Sequence, residues 1–164
     1  MKKLIALLMA TLMLMSFAAC GGEVMEKEFT HSGLTSTLTE AFTEASYEGY
    51  TVCYDSANVA VFVIKENFSL LAGLEDYTLK QYADLVHNAN SSRNPAAITE
   101  VEGLTTFEYS FLNTDENQTY QYFTTMFKGD DAFWTIQFCC KADKFNEYKA
   151  DMIKYAKSVK VTKE

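Results

Sequence analysis

The chain has 164 residues, enough for one ordinary domain and too few for two. Hydrophobic residues make up 48% and charged residues 22%, with 12 Phe, 10 Tyr and a single Pro. This excludes a disordered polymer, a collagen-like chain and a multi-span membrane protein, and it allows a real core and a sheet; a net charge of -8 excludes a general nucleic-acid binder, because phosphate binding needs a basic surface.

Met1-Lys2-Lys3 is a short basic start, and Leu4 to Met15 is apolar apart from Thr11. Ser16-Phe17-Ala18-Ala19-Cys20 follows. A basic start, a short apolar run and small residues before a cleavage point define a secretory signal peptide. The apolar run is too short to cross a ~30 Å hydrocarbon core as a helix. Ala18-Ala19-Cys20 resembles the bacterial lipobox, with Phe17 where Leu is usual. The resemblance implies cleavage before Cys20, a thioether-linked lipid on its sulfur and acylation of the new amine. Several chains on one residue give stable anchoring where one alone gives only reversible binding. Residues 1–19 are therefore expected to be the signal peptide. Residues 20–28 are expected to form a lipidated N-terminus and a flexible tether, and residues 29–164 a single domain. Cleavage leaves 12 basic against 22 acidic residues, or -10. The body from Cys20 to Cys140, with 5 basic and 18 acidic residues, carries -13. The tail from Lys141 to Glu164, with 7 Lys and 4 acidic residues, carries +3.

Phe29 to His31, a turn at Ser32-Gly33 and Leu34 to Leu38 predict an opening hairpin. Thr39 is placed to cap a single helical turn through Phe42. Tyr50 to Asp55 and Asn58 to Lys65 read as two strands around a turn at Ser56-Ala57. In the second strand Val59, Val61 and Val63 share one face, and Ala60, Phe62 and Ile64 share the other. Apolar residues on both faces predict a central strand covered on both sides. Thr78 and Gln81 form a capping box that opens a helix, with Tyr77 and Tyr82 at the staple positions. Leu79, Tyr82, Ala83 and Val86 make its apolar stripe. Asn88 to Asn94 ends that helix, and Pro95 prevents its resumption.

A long meander follows, with strands at Ala97 to Val101, Leu104 to Leu112, Gln118 to Lys128 and Ala132 to Lys141. Phe107, Tyr109 and Phe111 alternate with Thr106, Glu108 and Ser110, as a half-buried strand requires. Trp134, Ile136, Phe138 and Cys140 fall on one face of the last long strand, and Trp134 reads as buried. A second helix from Asp143 to Lys157 presents Phe145, Tyr148, Met152 and Ala156. Val159-Lys160-Val161 closes the chain as a short strand. The class is α+β, a mostly antiparallel sheet covered by two amphipathic helices. The chain resembles the Mog1/PsbP-like family. The resemblance is carried by the aromatic opening at Phe29, the turn at Phe42 and Phe133-Trp134-Thr135-Ile136-Gln137-Phe138. The closing helix into Ser158-Val159-Lys160-Val161 completes it. The family's common Leu-Pro before the early turn is replaced here by Leu38-Thr39. The resemblance implies a fold and little about activity.

Candidates for chemistry are sparse. Cys53, Cys139 and Cys140 remain after Cys20. Cys139 and Cys140 are consecutive in a strand, so their side chains diverge. Without a C-x-x-C pair, neither zinc nor a thioredoxin-like site is expected. Cys53 pairs with Cys139 or Cys140 only if their strands are neighbours, and buried free thiols are the default. His31 and His87 sit at element ends, with no G-x-S-x-G or H-E-x-x-H around them. Asp115-Glu116 and Asp130-Asp131 fall in predicted turns, where Asp bonds the local backbone. Asn113, Asp115 and Asn117 have the spacing of a calcium loop's first ligands, but Gln118 stands where Gly is needed and Thr124 where a bidentate Glu is needed. No cofactor and no metal are expected. The sequence therefore predicts a noncatalytic binding or accessory module, lipid-anchored through Cys20 at the outer face of the bacterial cell membrane. Its partner is a protein or a small molecule, not a nucleic acid. The alternative is an anchored hydrolase-type enzyme using carboxylates the sequence does not single out.

Overall fold

In the computed structural model, residues 25–70 and 72–163 are described. The expected signal peptide, Cys20 and the first residues of the expected tether lie outside them. Two antiparallel sheets organise the chain. The smaller has the order β1-β2-β10, from β1 (Glu26–His31), β2 (Leu34–Thr39) and β10 (Lys160–Val161). The larger has seven strands in the order β3-β4-β5-β9-β8-β7-β6. Its members are β3 (Thr43–Ala45), β4 (Val52–Asp55), β5 (Ala60–Asn67), β6 (Thr99–Val101), β7 (Leu104–Asn113), β8 (Gln118–Lys128) and β9 (Ala132–Lys141). Helix α1 (Leu79–Ala89) follows β5, and α2 (Phe145–Ser158) follows β9. The α+β class, the antiparallel pairing and the two helices match the sequence expectation.

The opening hairpin turns where predicted, because Ser32 and Gly33 both adopt positive φ. Its first strand starts at Glu26, which pairs with Thr39, three residues before Phe29. The helical turn expected at Thr39 is instead a tight reversal, with the Phe42 amide bonding the Thr39 carbonyl at 3.1 Å. Phe42 is buried edge-on against Tyr155, 5.7 Å between centroids. That contact turns the chain directly into β3, a strand the sequence reading did not contain. Single 3-10 turns at Phe68–Leu70 and Leu74–Asp76 fill the link from β5 to α1.

Cross-strand register sorts side chains onto two faces of the large sheet. One face carries Tyr54, Val61, Phe138 and Phe123 in one row and Val52, Val63 and Ile136 in the next. It packs against Leu34 and Leu38 of the small sheet and against Phe145, Met152, Tyr155 and Ala156 of α2. Tyr155 was not in the predicted stripe of α2, which also starts at Phe145 after a 3-10 turn at Ala142–Lys144. The C-terminus of α2 is fixed to β2 by Ser158. Its Oγ accepts from the Thr37 amide at 2.9 Å and donates to the Tyr155 carbonyl at 2.6 Å. Trp134 lies fully buried in this core, as expected, with the Lys65 ammonium 5.0 Å from its ring centroid.

The opposite face is covered by α1 over part of its width. Thr78 caps this helix with the predicted reciprocal box, a feature worth about 1 kcal/mol. Tyr82 and Ala83 are buried against Phe107, Met126 and Phe133, while Tyr77, expected as a staple, stays exposed. The Tyr82 ring stacks on Phe133 at 4.2 Å and 4°. The expectation of a β5 covered on both sides is corrected here. Val61 and Val63 are buried, whereas Ala60, Phe62 and Ile64 are only half-buried. Helix α1 packs on β7 and β8, which leaves the outer side of β5 and the end of β9 open.

Candidate functional site

The opening left by α1 is a recess of about 800 Å³. Its floor is built by the register itself. Ala60, Cys139 and Tyr122 lie side by side on β5, β9 and β8, and Tyr109 of β7 continues the row beyond the recess. Phe62 stands one pleat further along β5 and points to the same side. From the loop before β4, Tyr50 and Tyr47 close over Phe62 with centroids 5.0 and 5.9 Å away. Tyr122 stacks on Tyr109 at 4.6 Å and 6°, so the floor is held in one arrangement by ring packing. At the open side Phe111 is 43% exposed. The Tyr120 hydroxyl donates to Glu116 at 2.6 Å and the Tyr47 hydroxyl donates to Asp55 at 2.5 Å. Lys141, Asp143 and Lys144 border the rim. The recess is thus aromatic inside, with hydroxyls and both signs of charge around its mouth.

The titratable groups of the floor are neutral at ordinary pH. Burial raises the Cys139 thiol to about 12, and burial also raises the Tyr122 hydroxyl well above its usual value. A thiol in that state is not a nucleophile. Desolvation pushes Cys140 up to about 11 and also raises Cys53. All three cysteines are free and buried. The pairing left open in the sequence is settled by register: Cys53 sits opposite Phe62 and Cys139 opposite Ala60, so β5 separates them at staggered positions. Cys140 points into the main core on the other face.

A second concavity of about 360 Å³ lies between α1 and the same sheet face, sharing Tyr50 with the recess. Here the Tyr82 hydroxyl bonds the Glu66 carboxylate and lies 2.9 Å from Thr135 Oγ1. Further along the helix, Arg93 donates to Asn90 Oδ1 at 2.6 Å, and its guanidinium lies over the rings of Tyr109 and Phe111. Gln137 donates to the Tyr109 hydroxyl at 3.2 Å. The sequence reading had singled out none of Tyr50, Glu66, Arg93 and Gln137 as site residues. The alternation along β5 and β9 is the only sequence signal for Glu66 and Gln137, and Tyr50 and Arg93, in connecting segments, have none.

The other sequence candidates are dispersed. His31 faces Glu44 at 3.4 Å beside the opening hairpin, and His87 bonds the Ala96 carbonyl at 3.0 Å beyond α1. Neither borders the recess. Asn113 Oδ1 accepts from the amides of Asp115 and Glu116 at 3.1 and 3.3 Å. These residues thus shape the β7–β8 turn. Asp131 approaches Lys65 at 3.8 Å, and its carbonyl accepts the Phe68 amide at 2.8 Å. Among the described residues, no group of three His, Cys, Asp or Glu is placed to hold a metal ion.

No family model and no curated protein sequence matches the chain. Its fold is similar to the solution structure of cyanobacterial PsbP (CyanoP) from Synechocystis sp. PCC 6803. That match has a TM-score of 0.55 at 10% identity and covers 87% of this chain and 97% of that one. It is also similar to a crystal structure from Bacteroides thetaiotaomicron VPI-5482, with a TM-score of 0.54 at 12% identity. That match covers 84% of this chain but about half of the other, 49%. The domain is therefore PsbP-like in fold.

Proposed function

We propose that this PsbP-like domain is a noncatalytic binding module, held by lipid on Cys20 at the outer face of a bacterial cell membrane. The observation that carries the reading is the aromatic recess. It is a preformed concavity within the size range of ligand sites, and its walls offer ring faces and hydroxyls. The buried thiol and phenols inside it are held neutral, so they contribute shape and hydrogen bonding. Proton transfer or attack at neutral pH would need a group tuned near that pH. Anchoring is supported by the order of Lys2-Lys3, the apolar run and Ala18-Ala19-Cys20. A short link between Cys20 and β1 keeps the domain close to the lipid surface, where partners are also confined.

The test uses the anchored chain extracted in mild detergent, with bound molecules identified by mass spectrometry. Phe62→Ala and Tyr122→Ala should lose the bound component while the protein remains folded by circular dichroism. His31→Ala and His87→Ala should retain it. Turnover by the purified chain that disappears in one of these variants at unchanged stability would overturn the reading.

A further inference from the structure

The cleft between α1 and the large sheet has a polarity that the aromatic recess lacks. Its walls are apolar, from Ile64 on the floor and Leu74, Leu85 and Val86 on the helix side. At one end stands Glu66, with one carboxylate oxygen engaged by Tyr82. At the other stands Arg93, held by Asn90 and stacked on Tyr109. Eight residues of helix separate Tyr82 from Asn90, a rise of about 12 Å. On the floor lies Gln137, 6% exposed, beside the Tyr109 hydroxyl that Arg93 also approaches at 3.4 Å. Its amide donates to Tyr109, and the carbonyl end of that amide has no partner among the described residues. The cleft thus offers an anion at one end, a cation at the other and a hydrogen-bond acceptor on the floor between its walls.

We propose that this cleft binds a short linear peptide of three or four residues. Its terminal ammonium is received by Glu66, its terminal carboxylate by Arg93, and a backbone N–H by Gln137 Oε1. An extended peptide spans about 3.4 Å per residue, so three or four residues cover the distance between the two charges. Arg is suited to the carboxylate end because its planar fork bonds both oxygens. The apolar walls take small or branched aliphatic side chains. This proposal stands apart from the partner-binding reading, because the two concavities share Tyr50 alone.

Calorimetric titration of the full chain in detergent tests it with three probes: Ala-Leu-Ala, its N-acetyl form and its C-terminal amide. The free tripeptide should bind saturably, and each blocked form should bind at least tenfold more weakly. Glu66→Gln keeps an acceptor for Tyr82 and should bring the free and acetylated peptides to equal affinity, leaving the penalty for amidation intact. Arg93→Ala, on an exposed side chain, should do the converse. Absence of saturable binding by the free tripeptide would overturn the proposal. So would blocked forms that bind the wild-type chain as well as the free one, a comparison that depends on no variant folding. Loss of partner capture in the Phe62 and Tyr122 variants with tripeptide binding retained would separate the two sites.

Discussion

Replacing Tyr82 by Phe removes one oxygen and keeps the ring that stacks on Phe133. The hydroxyl bonds Glu66 and lies 2.9 Å from Thr135 Oγ1, and the residue is 2% exposed. Two costs follow. A hydrogen bond to a charged group contributes about 1.5–3 kcal/mol, and Thr135, itself 2% exposed, is left without its partner at about 1 kcal/mol or more. Glu66 is half-buried and recovers part of its loss from water, so the net destabilisation should be about 2 kcal/mol. Urea unfolding of wild type and Tyr82→Phe should show that difference as a lower midpoint at unchanged slope. Glu66→Gln should cost less, and the double variant should cost less than the sum, because the two groups share one bond. Alkaline titration adds a signature. Burial raises the Tyr82 pKa above its ordinary value of 10.0. Its contribution is therefore whole below pH 10 and is lost as pH rises through the higher folded value. The variant should lose less stability than wild type above pH 10. A Tyr82→Phe protein as stable as wild type, or one that shows the same alkaline loss, would refute the assignment of this hydroxyl as a structural bond between β5, β9 and α1.

Mass spectrometry of the membrane fraction should find a diacylglycerol-modified Cys20 as the first residue, and Cys20→Ser should release the protein. Thiol labelling of the lipidated chain should be negligible when folded and should reach three groups in denaturant, Cys53, Cys139 and Cys140; a fourth would contradict the lipidation of Cys20. The contribution of Cys139 to stability should be flat up to about pH 9, the ordinary value for Cys, and then fall as pH climbs towards 12, because the unfolded chain ionises this thiol there while the folded chain keeps it protonated. Phe138→Ala, at a fully buried position of the main core, should cost about 3–5 kcal/mol; a loss below 1 kcal/mol would mean the packing of α2 on β9 is misassigned.

The elements set by local chemistry were legible in the sequence. The Thr78 and Gln81 box, the Ser32-Gly33 turn and the alternation in β7 to β9 each depend on near neighbours, and each sits where its spacing predicts. Elements set by distant contacts were not. The reversal at Phe42 exists because Tyr155, over a hundred residues later, supplies the surface that buries the ring. Strand β3 follows from it. The recess was hidden for a related reason. Phe62 alternates as a core residue would, and only the position of α1 over β7 and β8 leaves it half-covered. Tyr50, Phe62 and Tyr122 then meet from a loop and two strands that no sequence period links. Gln137 was passed over because a polar residue in an apolar strand has no meaning until its neighbours are known.

Strand β2 is hydrogen-bonded to β1 on one side and to β10 on the other, and Ser158 ties the end of α2 to it as well. A segment made early in synthesis therefore waits for residues 158–161 before its sheet is complete. Pairings of such sequence separation form slowly, since a long loop must close before any of them stabilises the chain. The proposed export as an extended thread would make use of that delay. While the last residues are still being made, the small sheet lacks its third strand and α2 lacks its mooring, so early folding is opposed by topology. Once the C-terminus is free, β10 and Ser158 dock on β2 and the small sheet closes.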